Sequence, residues 1–100
     1  MKKIFLSHPM SGMKEKEIYQ IRHEMKEYIE DYLGEEVEII HSYLDLGDVH
    51  PLIYISKCLE LMTLADIVLV HPDWGISRGC RIEVDSAILY KIPHVIFMKD

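Results

Sequence analysis

The sequence predicts an α/β fold: a four-stranded, all-parallel sheet in the spatial order 2-1-3-4, with helices on both faces. Three observations lead there. Four short apolar runs alternate with three longer segments whose apolar residues recur at steps of three and four, the β-α-β-α-β-α-β order of a parallel sheet. The run at residues 65–71 is almost unbroken in apolar character, as suits a strand covered on both faces. Gly34, Pro51 and Pro93 stand where helices must stop or start. Right-handed crossovers then make 2-1-3-4 the natural strand order.

Taken in order, residues 3–7 (Lys-Ile-Phe-Leu-Ser) form the first strand and 8–12 a loop. Over residues 13–33, Ile18, Ile21, Met25, Tyr28, Ile29 and Tyr32 mark one face of an amphipathic helix, with Lys14, Glu15, Lys26, Glu27, Glu30 and Asp31 on its wet side. Residues 36–41 give the second strand, through Val37, Ile39 and Ile40. A loop at 42–50 ends at Pro51, and Leu52, Ile55, Leu59 and Met62 form the face of the second helix. The third strand covers 65–71, the third helix 79–90, and the fourth strand 94–98. There is no repeat, low-complexity stretch or linker, so residues 1–100 are expected to be one domain.

Composition narrows the function. A formal charge of −6 argues against a nucleic-acid polymer as partner, since such binders present a basic face. No apolar run approaches the length of a membrane span. Cys58 and Cys80 are far apart and no secretory signal precedes them, so free thiols and a cytoplasmic location are expected. The six histidines (His8, His23, His41, His50, His71, His94) show no paired ligand spacing, so no metal site is expected. Apolar side chains late in the helices, Met62 and Tyr90, together with Trp74, exceed what a domain of this size readily covers, which suggests a homodimer.

In the 2-1-3-4 order the loops after strands 1 and 3 open side by side at the carboxyl edge, where the order reverses and a ligand crevice lies. The first loop brings Ser7, His8, Pro9, Met10, Ser11 and Gly12; the second brings Trp74, Ser77, Arg78 and Gly79 into the start of helix 3. Hydroxyls, free amides, a guanidinium and the positive helix end together suit a phosphate or a ribose. Glu83, one turn into that helix, is a carboxylate that can attack a sugar carbon. Plainer roles stand beside these: Ser77 as an N-cap, Gly75 and Gly79 as turn formers, Glu83 as a solvated helix residue, Trp74 as a core or interface residue. Tyr43 and Tyr54, flanking the central loop, either line a pocket or pack.

These residues carry a resemblance. The chain is similar to the nucleoside 2-deoxyribosyltransferase-like superfamily, particularly its short bacterial and phage members. Their first strand leads into Gly-Pro-Met-Thr/Ser-Gly, here Ser7-His8-Pro9-Met10-Ser11-Gly12. An Ala/Cys-Asp-apolar strand follows, here Ala65-Asp66-Ile67-Val68-Leu69. Then comes Trp-x-x-Ser-x-Gly-x-x-x-Glu, here Trp74 through Glu83, and last an Ile-Pro-x-Val-Ile strand from Ile92 to Ile96.

The resemblance implies a flavodoxin-like fold and dimers or larger assemblies in which a neighbour completes the site. It implies cleavage or transfer of the N-glycosidic bond of a deoxynucleoside or its 5′-monophosphate, with no cofactor. By the Ser-x-Gly-x-x-x-Glu spacing shared with the superfamily's 2′-deoxynucleoside 5′-phosphate N-hydrolases, Glu83 is the nucleophile on the anomeric carbon. Ser77 binds phosphate or sugar, and Pro9 to Gly12 line the sugar-phosphate pocket. Two positions depart from the pattern. His8 replaces the usual Gly. An Asp that assists base departure stands eight residues before the strand Asp in relatives; here that position is Cys58, with Asp45 and Asp48 in the preceding loop as substitutes. A catalytically impaired nucleotide-binding module, or a subunit completed by another chain, is the alternative.

Overall fold

A computed structural model describes residues 1–98 of the chain. The sheet has four parallel strands in the order β2-β1-β3-β4: β1 Lys2–Ser7, β2 Val37–Ile39, β3 Ile67–Val70 and β4 His94–Ile96. The helices are α1 Glu15–Leu33, α2 Pro51–Met62 and α3 Arg78–Leu89. The expected α/β architecture and strand order are both present, and no described helix is long and apolar enough to cross a membrane.

Alternation along the strands divides the core. Ile4, Leu6 and Leu69 point to one face and pack with Met25 and Ile29 of α1 and with Phe97. Phe5, Val68 and Val70 point to the other and pack with Cys58 and Met62 of α2 and with Val84 and Ala87 of α3. One helix thus covers one face, and two cover the other. Because Phe5 lies on the two-helix side, so does Ser7 two residues on, and that places it opposite α3.

Element edges differ from expectation where capping and turn chemistry intervene. Helix α1 starts at Glu15 rather than residue 13: Met13 N–H closes a turn onto Met10 O at 3.1 Å, and Lys14 is extended. Gly12 occupies the third position of that turn at φ 75°, which side chains with a Cβ resist. Gly34 ends α1 in the left-handed region at φ 70°. Strand β2 is three residues long, its last ladder bond running from Ile40 N–H to Ile4 O at 2.9 Å. A short 3-10 turn, Trp74–Ile76, intervenes before α3. Two burial expectations are corrected. Tyr32 is exposed and stacks on Tyr28 at the solvent edge of α1, and Met62 is buried in the core rather than left over for a partner.

Candidate active site

The carboxyl edge of β1 and β3 is tied by a bond from His71 N–H to Ser7 O at 2.8 Å. Beyond it the two loops diverge around a cleft of about 130 Å³ lined by His8, Met10, Ser11, Tyr54, Ile55, Ser77, Gly79, Cys80 and Glu83. Residues from both predicted loops meet here, together with two from α2. Ser77 caps α3, its Oγ accepting from Cys80 N–H at 3.3 Å, and it also faces the cleft.

Glu83 is the cleft's buried carboxyl, 7% exposed. Ser7, fully buried, donates its hydroxyl to Glu83 Oε1 at 2.7 Å. Burial pushes the Glu83 carboxyl up to about 7; the Ser7 hydroxyl, the Cys58 thiol and the Arg22 charge pull the other way. Near neutral pH the group is thus present in both forms, protonated as an acid and ionised as a base or nucleophile.

Behind the cleft lies a partly buried polar network centred on Arg22. The Arg22 guanidinium donates from Nη1 to His8 Nε2 at 3.0 Å and to Ser42 Oγ at 3.3 Å, and from Nη2 to Ile40 O at 3.1 Å. A guanidinium only donates, so His8 Nε2 accepts and Nδ1 carries the proton, which it gives to Pro9 O at 3.2 Å. Burial first, and the Arg22 charge next, push the imidazole down to about 4. His8 is thus a neutral, fixed wall of the cleft. The Tyr54 hydroxyl donates to Ser42 O and accepts from Leu44 N–H, each at 3.0 Å. The signal for Arg22 was present: Ile18, Arg22, Met25 and Ile29 follow the buried stripe of α1, and a charge on such a stripe needs partners.

Other expected site residues fall elsewhere. Trp74 packs, partly buried, against the core beneath α2 and α3 and does not line the cleft. Pro9 and Gly12 shape the first loop without lining it. Arg78 is exposed and lines the neighbouring groove, about 590 Å³, with His50, Pro51, Leu52 and Ile82; Tyr54, Ile55 and Gly79 belong to both hollows. At Gly79 a Cβ would stand 2.7 Å from Ile55 Cδ1, so a larger residue there would make the end of the Ile55 side chain shift. Cys58 is 1% exposed and lies beneath the cleft. Its thiol faces Ser42 O at 3.8 Å and contacts the Glu83 carboxylate. Burial chiefly, and the adjacent Glu83 charge, push it up to about 12. Asp45 lines a separate depression with Tyr19 and His41, and Asp66 accepts from Lys3 N–H at 2.7 Å, bracing the start of the sheet. No group of His, Cys, Asp and Glu side chains able to hold a metal occurs among the described residues.

The family model described as domain of unknown function DUF4406 matches residues 2–96. The chain belongs to the DUF4406 family. A conserved protein from Enterococcus faecalis V583 has a similar fold, with a TM-score of 0.70 over 100% of this DUF4406 chain and 15% sequence identity. The chain spans 65% of the length of that neighbour. No curated protein matches the DUF4406 chain in sequence.

Proposed function

We propose that this DUF4406 chain cleaves or transfers the N-glycosidic bond of a deoxynucleoside or deoxynucleoside 5′-monophosphate, with Glu83 as nucleophile. One observation carries the reading: Glu83 is a buried carboxylate at a switch-point cleft, held by Ser7 Oγ at 2.7 Å. The Ser7 bond fixes one carboxylate oxygen and leaves the other for attack on C1′. The cleft, about 130 Å³, is below the usual range for a whole ligand and suits the sugar. Free amides of the first turn of α3, with Ser77 and Arg78, suit the anionic oxygens of a 5′-phosphate. The base then extends into the groove that shares Tyr54, Ile55 and Gly79 with the cleft.

In the first step Glu83 displaces the base and forms a glycosyl ester. In the second, water or another base takes the sugar. The test is intact-mass analysis after incubation with deoxynucleosides and their 5′-monophosphates, followed by peptide mapping. A glycosyl adduct on Glu83 that is lost in Glu83→Gln, with a folded variant by circular dichroism, is the expected result. Because a covalent nucleophile has no substitute, activity should fall at least about 10³-fold. Base release that survives Glu83→Gln refutes the assignment.

A second reading, a nucleotide-binding module without turnover, is favoured by one residue. Cys58 occupies the position of the relatives' acid and is closed off from the cleft. A thermal shift with nucleotides, without base release or adduct, selects it. A cytoplasmic homodimer is part of the proposal: Ile76, at 85% exposure, and Tyr90, at 80%, are apolar surfaces for a second copy. A monomeric mass by light scattering at micromolar concentration counts against it.

A further inference from the structure

We infer that His50 is the hydrogen-bond donor to the departing base: its ring N–H holds the nitrogen or carbonyl oxygen that takes up the electron pair of the broken bond. The inference rests on the Glu83 reading above and adds a second catalytic residue to that site, at the start of α2.

Breaking the C1′–N bond of a neutral base leaves negative charge on its ring, and a donor placed where that charge develops lowers the barrier. Cys58 does not supply one. It lies beneath the cleft, its thiol against Ser42 O and the Glu83 carboxyl. The groove assigned to the base holds other donors. Pro51, Leu52, Ile55 and Ile82 give it apolar walls, and His50, Tyr54 and Arg78 give it polar groups. The Tyr54 hydroxyl is given to Ser42 O at 3.0 Å. Arg78 opens α3 directly after the Ser77 cap, at the end of the site that suits the 5′-phosphate. His50 remains for the base.

The tautomer of His50 is set by the helix it caps. Its Nδ1 accepts from Leu52 N–H at 3.1 Å, just ahead of Pro51 at the first position of α2. A backbone N–H only donates, so the lone pair is on Nδ1 and the hydrogen is on Nε2. The cap therefore holds one ring nitrogen against its own helix and leaves the other, an N–H, on a ring that lines the groove. Beside apolar walls such a hydrogen bond is stronger than in water. In the first step a Glu83 oxygen forms its bond to C1′, and the C1′–N electron pair moves onto the base. The bond from His50 Nε2–H strengthens as that charge grows, so it favours the transition state over the bound substrate. The base takes a proton from water and leaves neutral. The hydroxide so formed attacks C1′ and displaces the Glu83 carboxylate, while the Nε2 hydrogen stays on His50. The net reaction is nucleotide plus water giving sugar phosphate and base.

The experiment measures base release by chromatography from two pairs: dGMP beside 7-methyl-dGMP, and thymidine monophosphate beside a 2-deoxyribosylpyridinium 5′-phosphate. The second member of each pair is a cation whose base leaves uncharged, with no negative charge for a donor to hold. His50→Asn and His50→Ser both keep a side-chain cap on α2, and neither carries an N–H at the reach of Nε2. In these variants, folded by circular dichroism, kcat for the neutral substrates is expected to fall about 10- to 100-fold and that for the cations to change by less than about threefold, as loss of a hydrogen bond to a charged group implies. The cation rates also report that the Glu83 cleft is intact. Arg78→Gln should instead raise KM for every member and leave kcat, because a phosphate contact is made before and during the reaction. A loss confined to the neutral member of a pair supports the assignment. Equal loss on both members, no loss on the neutral one, or a base-dependent loss in Arg78→Gln and not in the His50 variants overturns it while the Glu83 glycosidase reading stands. Wild-type release from the cations alone also overturns it, since no donor then assists departure. Release from none of the four, with no adduct on Glu83, overturns both.

Discussion

The two faces of the sheet are built from the same strands and do different things. The α1 face is hydrocarbon and aromatic at depth, with Ile4, Leu6, Met25, Ile29, Leu69 and Phe97 packed together, and Arg22 of α1 meets the buried His8 and Ser42 beyond the strand ends. The α2/α3 face has Phe5, Val68 and Val70 in its centre, yet at its carboxyl end it buries Ser7, Cys58, Cys80 and Glu83. One helix packs across the first face. Two helices meeting at their N-terminal ends leave a cleft between them, and there a carboxyl is buried with one hydroxyl and two thiols. The first face buries apolar side chains and the second also buries ionisable ones, so substitutions on the two should act differently on stability and on its pH dependence.

The largest stability effect is expected on the α1 face. Ile29→Ala removes a fully buried side chain and should cost about 2–5 kcal/mol in denaturant unfolding. Ligand binding by the molecules still folded should be unchanged; a specific loss of binding would show that the two faces are coupled.

On the other face Glu83→Gln should stabilise the fold, and the pH dependence identifies why. The Glu83 carboxyl is pushed from 4.5 to about 7 on folding. The folded chain therefore keeps a proton that the unfolded chain loses, and this contribution is present below pH 4.5 and lost as pH rises to 7. His8 is pushed from 6.5 to about 4. Its contribution has the opposite sign, present above pH 6.5 and lost as pH falls to 4. Each is on the order of 3 kcal/mol. Between pH 4.5 and 6.5 the pair binds the same number of protons folded and unfolded, so wild-type stability should be nearly flat there. Glu83→Gln should unmask His8, giving stability that climbs from pH 4 to 6.5 and a net gain above pH 7. A flat profile in the variant would show that His8 is not buried neutral.

Ser7→Ala gives the smallest effect. Loss of a hydrogen bond to a charged group is typically worth about 1.5–3 kcal/mol, so the midpoint of the rate against pH should move above 7 by about one unit or more. Activity at high pH should recover. Equal loss at every pH would mean that Ser7 positions the carboxylate without tuning its ionisation.

Periodicity made much of this legible. The unbroken apolar runs of β1 and β3, the three-and-four spacing in α1, and Gly34 and Pro51 as punctuation give the sheet order and the meeting of the two loops. Each of these is a local pattern. What local pattern does not carry is distance across the fold. Whether Trp74 reaches the cleft or the core depends on the 3-10 turn that follows Asp73. Whether Cys58 faces ligand or carboxylate depends on how α2 packs against the sheet and α3. The Ser7–Glu83 bond joins residues 76 apart, and nothing at either position announces the other. Arg22 was visible as a charge on an apolar stripe, but its partners His8, Ser42 and Ile40 came from three separate segments.

That 76-residue span also bears on how the chain is made. Strand β1 emerges first and ends in the middle of the sheet, with β2 on one side and β3 on the other. Its partner at one edge is β2, and its other edge, Ile4 to Ser7, has its partner only once β3 has been made. An apolar edge left open in this way is prone to mispairing between nascent chains. Glu83 arrives later still, so the bond to Ser7 closes only when α3 docks. No shorter stretch of chain holds both members of this pair, and the buried carboxylate gains its hydroxyl partner only when α3 is in place.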